Sequence, residues 1–459
     1  MTEFSPDTLL ACPRCDKAPL DHIDSDYRCG GCKTTFPSIN GIPWLFAEPD
    51  AALSEWRHRL QLAVQQLAHE AQRIDADLKK TSLLDSTRDR LQRLGDAVGA
   101  HRKSLLELLQ PVDVQSAQAT YESHLALRTR LPGDQGLNTY YNNVHRDWGW
   151  GDEENAASMQ QISAVIEAEG DTNLGDCLVL GAGAGRLAYD LHQQRSNDQT
   201  VAVDFNPLLF LIAQQMYAGD TLDLYEFPIA PSSLANVAHL QRLQAPAPAR
   251  GGLHLILADV LRAPFAKGTF DTIVTPWLID ILSEDLRRFA PRINALLKPE
   301  GRWITFGSLA FEHASRARRY SPEEVADIAH EAGFGELTIE EARIPYMCSP
   351  LSRHGRNELM YTMATRKKES VKPPERSKAL PDWIVVGKTP VPLLPSFQTQ
   401  TMATRIYAFI MSLIDGRRSV DEMAGLLEQQ KLMPKEEARS AIRNFLIRMY
   451  EDSQRNPNF

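Results

Sequence analysis

The chain has 459 residues, of which 43% are hydrophobic and 24% are charged, a composition typical of globular proteins with more than one domain. Its formal net charge of −9 argues against a dedicated nucleic-acid binder, which normally presents a basic face. The sequence contains no run of about 18 apolar residues and no charged-then-apolar leader, so we expect neither membrane insertion nor export, and a cytoplasmic location.

Four of the six cysteines lie within the first 32 residues, as two C-x2-C pairs separated by thirteen residues. Each pair, Cys12 with Cys15 and Cys29 with Cys32, places two thiolates on one side of a tight turn, and two such turns can close a tetrahedral zinc site. A redox dithiol is the alternative, but it gives the second pair no role. The spacing therefore predicts a structural Zn²⁺ ion in a small module over residues 1–48.

The rest of the chain shows four further regions. Apolar residues recur at steps of three and four in residues 51–135, which predicts helices. Residues 136–367 alternate strand-like and helix-like runs, a pattern typical of an α/β domain. Residues 368–400 are rich in proline and charge and are predicted to be a linker, although 383–387 could form a short strand. Residues 401–459 are expected to form a helical module.

A glycine-rich turn follows the first apolar run of the α/β region, in LVLGAGAGR from Leu178 to Arg186. A strand, such a turn and a helix form a nucleotide crevice, and glycine lets the backbone approach a ligand closely. Arg186 stands where a dinucleotide fingerprint needs glycine or alanine. Asp204 ends the next strand and could accept both hydroxyls of a ribose, while Asp259 ends the strand after it and could contact an adenine amino group.

The glycine turn resembles motif I of the class I methyltransferases, which hold S-adenosylmethionine (SAM). FDTIVTPW and LLKPEGRWITFGS resemble later motifs of the same enzymes, and LTIEEARI and ELMYTMATR are expected to complete a seven-stranded sheet. The predicted fold class is therefore α/β, with a class I Rossmann-like core. The cysteine region, over residues 8–46, resembles the zinc-ribbon proteins that activate tRNA and translation-factor methyltransferases, here fused to the client enzyme.

Six segments together resemble the carnosine N-methyltransferase family, from NTYYNNVHRDWGWGDEE through LVLGAGAGRLAYDL, LYEFPIAPSSLANVAHLQRL, TIVTPWLID and LLKPEGRWITFGSL to the strand of Tyr361. The resemblance implies that Asn143 and Arg146 hold SAM, with Arg146 paired to its methionine carboxylate. It also places Gly181 and Gly183 under the ligand. The full set of expected cofactor contacts is Asn143, Arg146, Gly181, Gly183, Arg186, Asp204, Asn206, Asp259, Val260 and Thr275.

The same resemblance assigns the acceptor side of the site to Asp280 and Tyr361. His313 and Tyr346 are further candidates, and a buried structural tyrosine is the alternative for Tyr346. A carboxylate at Asp280 can accept the N–H of an imidazole, which fixes the tautomer and leaves the other nitrogen nucleophilic. The family's histidine aligns most simply with Glu312, one residue before His313. This departure leaves room for an acceptor other than carnosine.

The C-terminal motif IDGRRSVDEMA resembles the PqqD-like peptide-binding fold, while a winged-helix DNA reader and a docking domain are alternatives. The expected function is SAM-dependent N-methylation of an imidazole in a histidine-containing dipeptide, peptide or protein. The alternatives are another O- or N-acceptor, either a small molecule or a peptide, and a non-catalytic SAM-binding scaffold. We expect a small-molecule or peptide substrate, a peptide or protein partner at the C-terminal module, and neither nucleic acid nor membrane.

Overall fold

The computed structural model of the protein describes residues 9–114, 137–195, 197–313, 315–375 and 390–455. The chain divides into two compact units, residues 1–379 and 380–459. The strand expected at 383–387 and the end of the predicted helical region lie outside the described residues. Within the described ranges, no helix is long and apolar enough to cross a bilayer.

The strands are β1 (Leu20–Ile23), β2 (Asp26–Cys29), β3 (Thr35–Phe36), β4 (Ser38–Ile39), β5 (Ile42–Leu45), β6 (Gly175–Leu180), β7 (Asn197–Asp204), β8 (Thr221–Glu226), β9 (His239–Gln244), β10 (Leu253–Ala258), β11 (Phe270–Pro276), β12 (Leu297–Gly307), β13 (Phe334–Tyr346) and β14 (Arg356–Lys367). The helices are α1 (Pro49–Leu78), α2 (Asp85–Leu108), α3 (Leu137–His145), α4 (Asp152–Ala168), α5 (Arg186–Gln194), α6 (Pro207–Ala218), α7 (Leu286–Leu296), α8 (Pro322–Glu331), α9 (Pro395–Ser412), α10 (Val420–Gln429) and α11 (Lys435–Arg455).

The main sheet has nine strands in the order β13-β14-β12-β11-β6-β7-β10-β5-β4. From β12 to β10 the neighbours are parallel, whereas β14 runs antiparallel to both β12 and β13. The seven strands from β13 to β10 confirm the predicted class I Rossmann-like core. The expectation of seven strands is corrected to nine, because β5 pairs in parallel with β10 and β4 pairs with β5.

The centre of the sheet is formed by strands that are apolar on both faces. Leu178, Val179 and Leu180 of β6 are completely buried, as is Val203 of β7, and Val201 is nearly so. Helices cover both faces of a largely parallel sheet, so its central strands need apolar side chains in both directions. The carboxyl ends of β6, β7 and β10 consequently meet at one edge, where the glycine turn, Asp204 and Asp259 follow them.

The cysteine module continues into this sheet on the side of β10. Trp44 and Leu45 pair with Leu257 and Ala258. The chain before the first cysteine pair also forms an isolated bridge between Leu10 and Phe265. The loop that follows β10 is therefore held on two sides by the N-terminal module.

The C-terminal unit contains three helices in its described residues, α9, α10 and α11, around a small core that includes Ile410, Leu427 and Ile442. Helix α9 begins at Pro395, inside the region predicted to be linker. Ser419 caps α10 in a capping box with Glu422. The resemblance to a peptide-binding fold stays a prediction.

Candidate active site

The glycine turn after β6 borders open space. Gly181 and Gly183 have φ values of +73° and +58°, a backbone conformation that glycine adopts without strain. A Cβ atom added to Gly181 would lie 2.9 Å from Leu278, whereas one added to Gly183 would meet no atom within 4 Å. The backbone at Gly183 is thus open to a ligand, whereas the backbone at Gly181 is covered by the side chain of Leu278.

Asp204 connects this turn to the end of β7. Its carboxylate accepts hydrogen bonds from the backbone N–H groups of Gly183 and Asn206, each at 2.9 Å. Burial raises the pKa of Asp204 to about 6, although these backbone donors oppose the shift. Asn206 in turn caps α6 by accepting from the N–H of Leu208 at 3.0 Å. Two expected cofactor residues therefore lie in one hydrogen-bonded corner.

Asp259 follows β10 and accepts from the N–H of Leu261 at 2.9 Å, which caps the short helical turn Val260–Arg262. Burial raises the pKa of Asp259. The guanidinium of Arg262 lies 3.5 Å from the carbonyl of Pro13, in the first cysteine turn. The loop that carries Asp259 and Val260 is thus in contact with the N-terminal module.

The aromatic segment YYNNVHRDWGW ends α3 and continues as one π-helical turn, Arg146–Trp150. π-Helical turns are rare and are frequently found at functional sites. The indole N–H of Trp148 donates to the carbonyl of Ala184 at 2.8 Å, which joins this turn to the glycine turn. Arg146 pairs with the neighbouring Asp147, and Asn143 is half-buried one helical turn before it.

Two expected cofactor residues are engaged by other parts of the protein. The guanidinium of Arg186 donates to the carboxylate of Asp190, at 2.9 Å for the shorter contact, and to the carbonyl of Asp147 at 2.7 Å. The completely buried hydroxyl of Thr275 accepts from the indole N–H of Trp303 at 3.0 Å. Arg186 therefore braces the π-helical turn, and Thr275 bonds within the sheet.

Asp280 lies on the loop after β11, near the glycine turn through Leu278. Its Oδ2 atom accepts from the hydroxyl of Ser308 at 3.2 Å and from the N–H of Ala310 at 2.9 Å. No described residue donates to Oδ1. Asp280 is 9% exposed and lines a cavity together with His313. A buried carboxylate with one oxygen available can receive an N–H group from a ligand.

His313 shares the cavity with Asp280, whereas Glu312 is exposed on the surface. Nδ1 of His313 accepts from the backbone N–H of Ser315 at 3.0 Å, and Nε2 lies 3.1 Å from a guanidinium nitrogen of Arg318. His313, and not Glu312, therefore lines the cavity that Asp280 lines.

Tyr346 and Tyr361 lie on the two antiparallel strands. The ring of Tyr346 is 4.7 Å from that of Trp277, and the guanidinium of Arg146 lies 5.9 Å from its centroid. Tyr346 thus links the π-helical turn to the loop of Asp280. Tyr361 pairs with Gly307 in the sheet and is buried; burial raises its pKa to about 12, and its hydroxyl has no partner among the described residues.

Sequence reasoning missed one residue beside the site. The carboxylate of Glu154 accepts from the backbone N–H groups of Met347 and Cys348, at 3.0 and 2.7 Å. The only sequence signal is an acidic residue soon after the RDWGW segment. The side chain of Cys348 is exposed.

Sequence reasoning also missed the β8–β9 hairpin, which lies within a segment already quoted for the family resemblance. The N–H of Ser232 on its connecting loop donates to the carbonyl of Leu351 at 2.8 Å. The hairpin is therefore attached to the surface loop that follows Tyr346.

The four N-terminal cysteines come together as predicted. Their sulfur atoms all lie within 4.8 Å of one another. The backbone N–H groups of Gly31 and Cys32 donate to the sulfur of Cys29 at 3.3 and 3.4 Å. The cluster has the ligand number and type of a structural zinc site.

Comparison with known proteins identifies a matching family. The family model described as carnosine N-methyltransferase matches residues 135–361. No curated protein sequence matches the chain. Two of the matching solved structures are N-methyltransferases. The Haemonchus contortus phosphoethanolamine N-methyltransferase 2, in complex with phosphomonomethylethanolamine and S-adenosylhomocysteine, has a TM-score of 0.33 and 14% identity over 50% of this chain and 57% of that one.

The N-methyltransferase NodS from Bradyrhizobium japonicum has a TM-score of 0.30 and 15% identity, over 47% of this chain and 97% of that one. The chain thus spans about 57% of the length of the nematode enzyme. The assignment rests on the family match and on the strand order of the sheet. Through residues 135–361, this chain belongs to the carnosine N-methyltransferase family of SAM-dependent methyltransferases.

Proposed function

We propose that the protein transfers the methyl group of SAM to an imidazole nitrogen of a histidine-containing dipeptide, peptide or protein. The observation that carries the proposal is the carboxylate of Asp280. Its Oδ2 atom is held by Ser308 and Ala310, no described residue donates to its Oδ1 atom, and Asp280 lines a small cavity together with His313. A fixed, buried carboxylate can accept the N–H of an imidazole and thereby set which of its two nitrogens carries the proton.

The residues at the edge of the sheet fit SAM. Gly183 offers backbone with open space above it, and Asp204 offers a buried carboxylate for the two ribose hydroxyls. Asp259 would contact the adenine amino group, and Arg146 would pair with the methionine carboxylate. The glycine turn lacks the sixth-position glycine of a dinucleotide site, which favours a ligand without a pyrophosphate.

When bound, SAM supplies an electrophilic methyl group on a sulfonium. Asp280 accepts the N–H of the acceptor imidazole, so that the lone pair of the other nitrogen is directed at the methyl carbon. The carboxylate of Asp280 would stabilise the imidazolium that methylation produces, until the N–H proton passes to solvent. Tyr346, Tyr361 and His313 would line the acceptor pocket, and the alignment of the two reactants contributes most of the remaining acceleration.

A screen with SAM and a panel of histidine-containing dipeptides and peptides tests this function by mass spectrometry. The expected result is the mass increase of one methyl group on the imidazole of at least one acceptor. A set of amine, hydroxyl and carboxylate acceptors serves as the comparison. Methylation confined to that comparison set would overturn the imidazole assignment and leave the methyltransferase class intact.

The pKa of Asp204 predicts how SAM binding depends on pH. Its pKa is about 6 in the free protein, and ribose hydroxyls need the deprotonated form, so binding shifts the equilibrium toward the carboxylate. We expect the affinity for SAM to be constant above pH 7 and to fall below pH 6 by up to about tenfold per pH unit. Calorimetry from pH 8 to pH 5 measures this, and Asp204→Asn should be weaker and independent of pH. A flat profile for the wild type would refute the assignment.

We also propose that Cys12, Cys15, Cys29 and Cys32 bind one Zn²⁺ ion, which stabilises the N-terminal module. The close approach of the four sulfur atoms and the N–H donors at Cys29 support this. A closed four-thiolate site leaves no open coordination position, so its role would be structural.

Removing two zinc ligands should destabilise the whole N-terminal unit, because β5 of the metal module is a strand of the main sheet. We expect Cys12→Ser with Cys15→Ser to bind far less than one zinc per chain and to lower the melting temperature by about 5–10 °C. Metal analysis and calorimetry measure both quantities. Cys348→Ser is the matched control and should keep the zinc; an unchanged metal content in the double variant would rule out the site.

We propose that the C-terminal unit binds a peptide or protein partner, as the PqqD-like resemblance implies. The support is the compact three-helix arrangement with its capped α10. Pull-down of a histidine-containing peptide by the full chain, with and without residues 390–459, distinguishes this role from a docking domain.

A further inference from the structure

Glu154 is a buried carboxylate at the first turn of α4, and only 5% of its surface is exposed. Its two oxygens accept from two consecutive backbone N–H groups, one from Met347 to Oε2 and one from Cys348 to Oε1. The partners lie more than 190 residues apart in the sequence. A carboxylate with both oxygens engaged by backbone donors is a strong and specific restraint.

The restrained segment directly follows Tyr346. Met347 has a φ of +54°, a conformation that non-glycine residues rarely adopt and that surrounding contacts must hold. The two hydrogen bonds that the carboxylate of Glu154 accepts are such contacts. They hold the backbone at the residue where the chain turns away from β13. Because Tyr346 directly precedes this residue, they also hold its ring in contact with the ring of Trp277.

Glu154 also belongs to the segment that presents Arg146. The side-chain amide of the next residue, Asn155, donates to the carbonyls of Arg146 and Asp147, both at 3.4 Å. One short stretch, residues 146–155, therefore holds the proposed carboxylate contact of the cofactor on one side and the loop of Tyr346 on the other.

We propose that Glu154 is a positioning residue for the methyl acceptor, acting through Tyr346. The carboxylate holds the loop at Met347 and Cys348, so that Tyr346 packs against Trp277 and forms one wall of the acceptor pocket. This inference rests on the proposed function, in which Tyr346 faces the acceptor. Glu154 would thus raise the affinity of the protein for the acceptor without touching the acceptor itself.

The side chain must be a carboxylate for this role. Glutamine offers one accepting oxygen, and its NH₂ group would face the second backbone N–H, which leaves a buried donor without an acceptor. Glu153 provides a matched control, because it lies on the same first turn of α4 but is exposed. The change Glu153→Gln removes the same charge from the same helix N-terminus, so it reproduces any effect through the helix dipole.

The experiment compares Glu154→Gln with Glu153→Gln in the full-length protein, using an acceptor identified by the histidine screen. We expect Glu154→Gln to raise the KM for the acceptor by about tenfold or more, while the Kd for SAM changes by less than about threefold. Hydrogen exchange at the amides of Met347 and Cys348 should be at least about tenfold faster, because these amides lose an acceptor. Glu153→Gln should change none of the three quantities.

An unchanged KM alongside faster exchange would overturn the positioning role, and so would unaltered exchange in Glu154→Gln. If the wild type turns over no histidine acceptor, the proposed function fails instead, and the exchange rates still test whether Glu154 holds the loop. Should Glu154→Gln fail to fold, Glu154→Asp keeps the charge but is too short to reach both amides. It should raise the acceptor KM in the same direction, and a wild-type KM in that variant would overturn the inference.

Discussion

Replacing Asp280 by alanine is expected to lower kcat by about 10³-fold while leaving the Kd for SAM within about twofold of the wild-type value. Without the carboxylate, the acceptor imidazole can bind in either tautomer, and nothing offsets the positive charge that develops as the N–C bond forms. In the proposed site Asp280 faces the acceptor, and it is separated from the glycine turn by Leu278, which lies against Gly181. Single-turnover kinetics and calorimetry measure the two quantities.

A structural role for Asp280 is the main alternative, because its Oδ2 atom also holds the loop at Ser308 and Ala310. The change Asp280→Asn separates the two roles. The amide oxygen can still accept from Ser308 and Ala310, so stability and SAM affinity should stay close to wild type, whereas turnover should fall nearly as far as in the alanine variant. If Asp280→Asn kept turnover, the carboxylate would be serving only the loop.

The pattern of the sequence predicted the core of this fold because the relevant signals are local. The strand before the glycine turn is a continuous apolar run, and the strand of Val203 ends in the acid Asp204. Such runs, interrupted by turn residues, identify buried parallel strands without knowledge of their neighbours. The same holds for the four cysteines, whose spacing alone specifies two turns that can share a metal ion.

The remaining features depend on partners distant in the sequence. Nothing near Trp44 indicates that its strand pairs with β10, more than 200 residues later. Arg186 occupies a position that suggests a ligand contact, yet its guanidinium is taken up by Asp190 and by the carbonyl of Asp147. Only the folded chain reveals which polar groups have already found partners within the protein.

The π-helical turn depends both on its own sequence and on packing against the glycine turn. Gly151 follows RDWGW, and a Cβ atom there would lie 2.2 Å from the carbonyl oxygen of Arg146. Glycine is therefore required for the turn to close. The indole of Trp148 then fixes the closed turn to the carbonyl of Ala184. Trp148 thus holds the π-helical turn that contains Arg146 against the glycine turn.

Gly183 provides the sharpest test of the cofactor site, because the chain contains a matched glycine elsewhere. Gly183 has a φ of +58°, and an added Cβ would meet no atom within 4 Å. Gly170, exposed after the end of α4, has a φ of +76° and is equally open. Alanine at either position should cost about 1–2 kcal/mol of folding stability, since both adopt the left-handed conformation.

The two alanine variants should lose the same folding stability and should differ only in their affinity for SAM. In Gly183→Ala the methyl group projects into the space assigned to SAM, so we expect the affinity for SAM to fall by about 100-fold, as an overpacked contact would cause. Gly170→Ala should bind SAM as the wild type does, at the same loss of melting temperature. Calorimetry with SAM and thermal unfolding of both variants give the comparison. Equal SAM affinities would place the cofactor away from Gly183, because backbone strain is common to both variants.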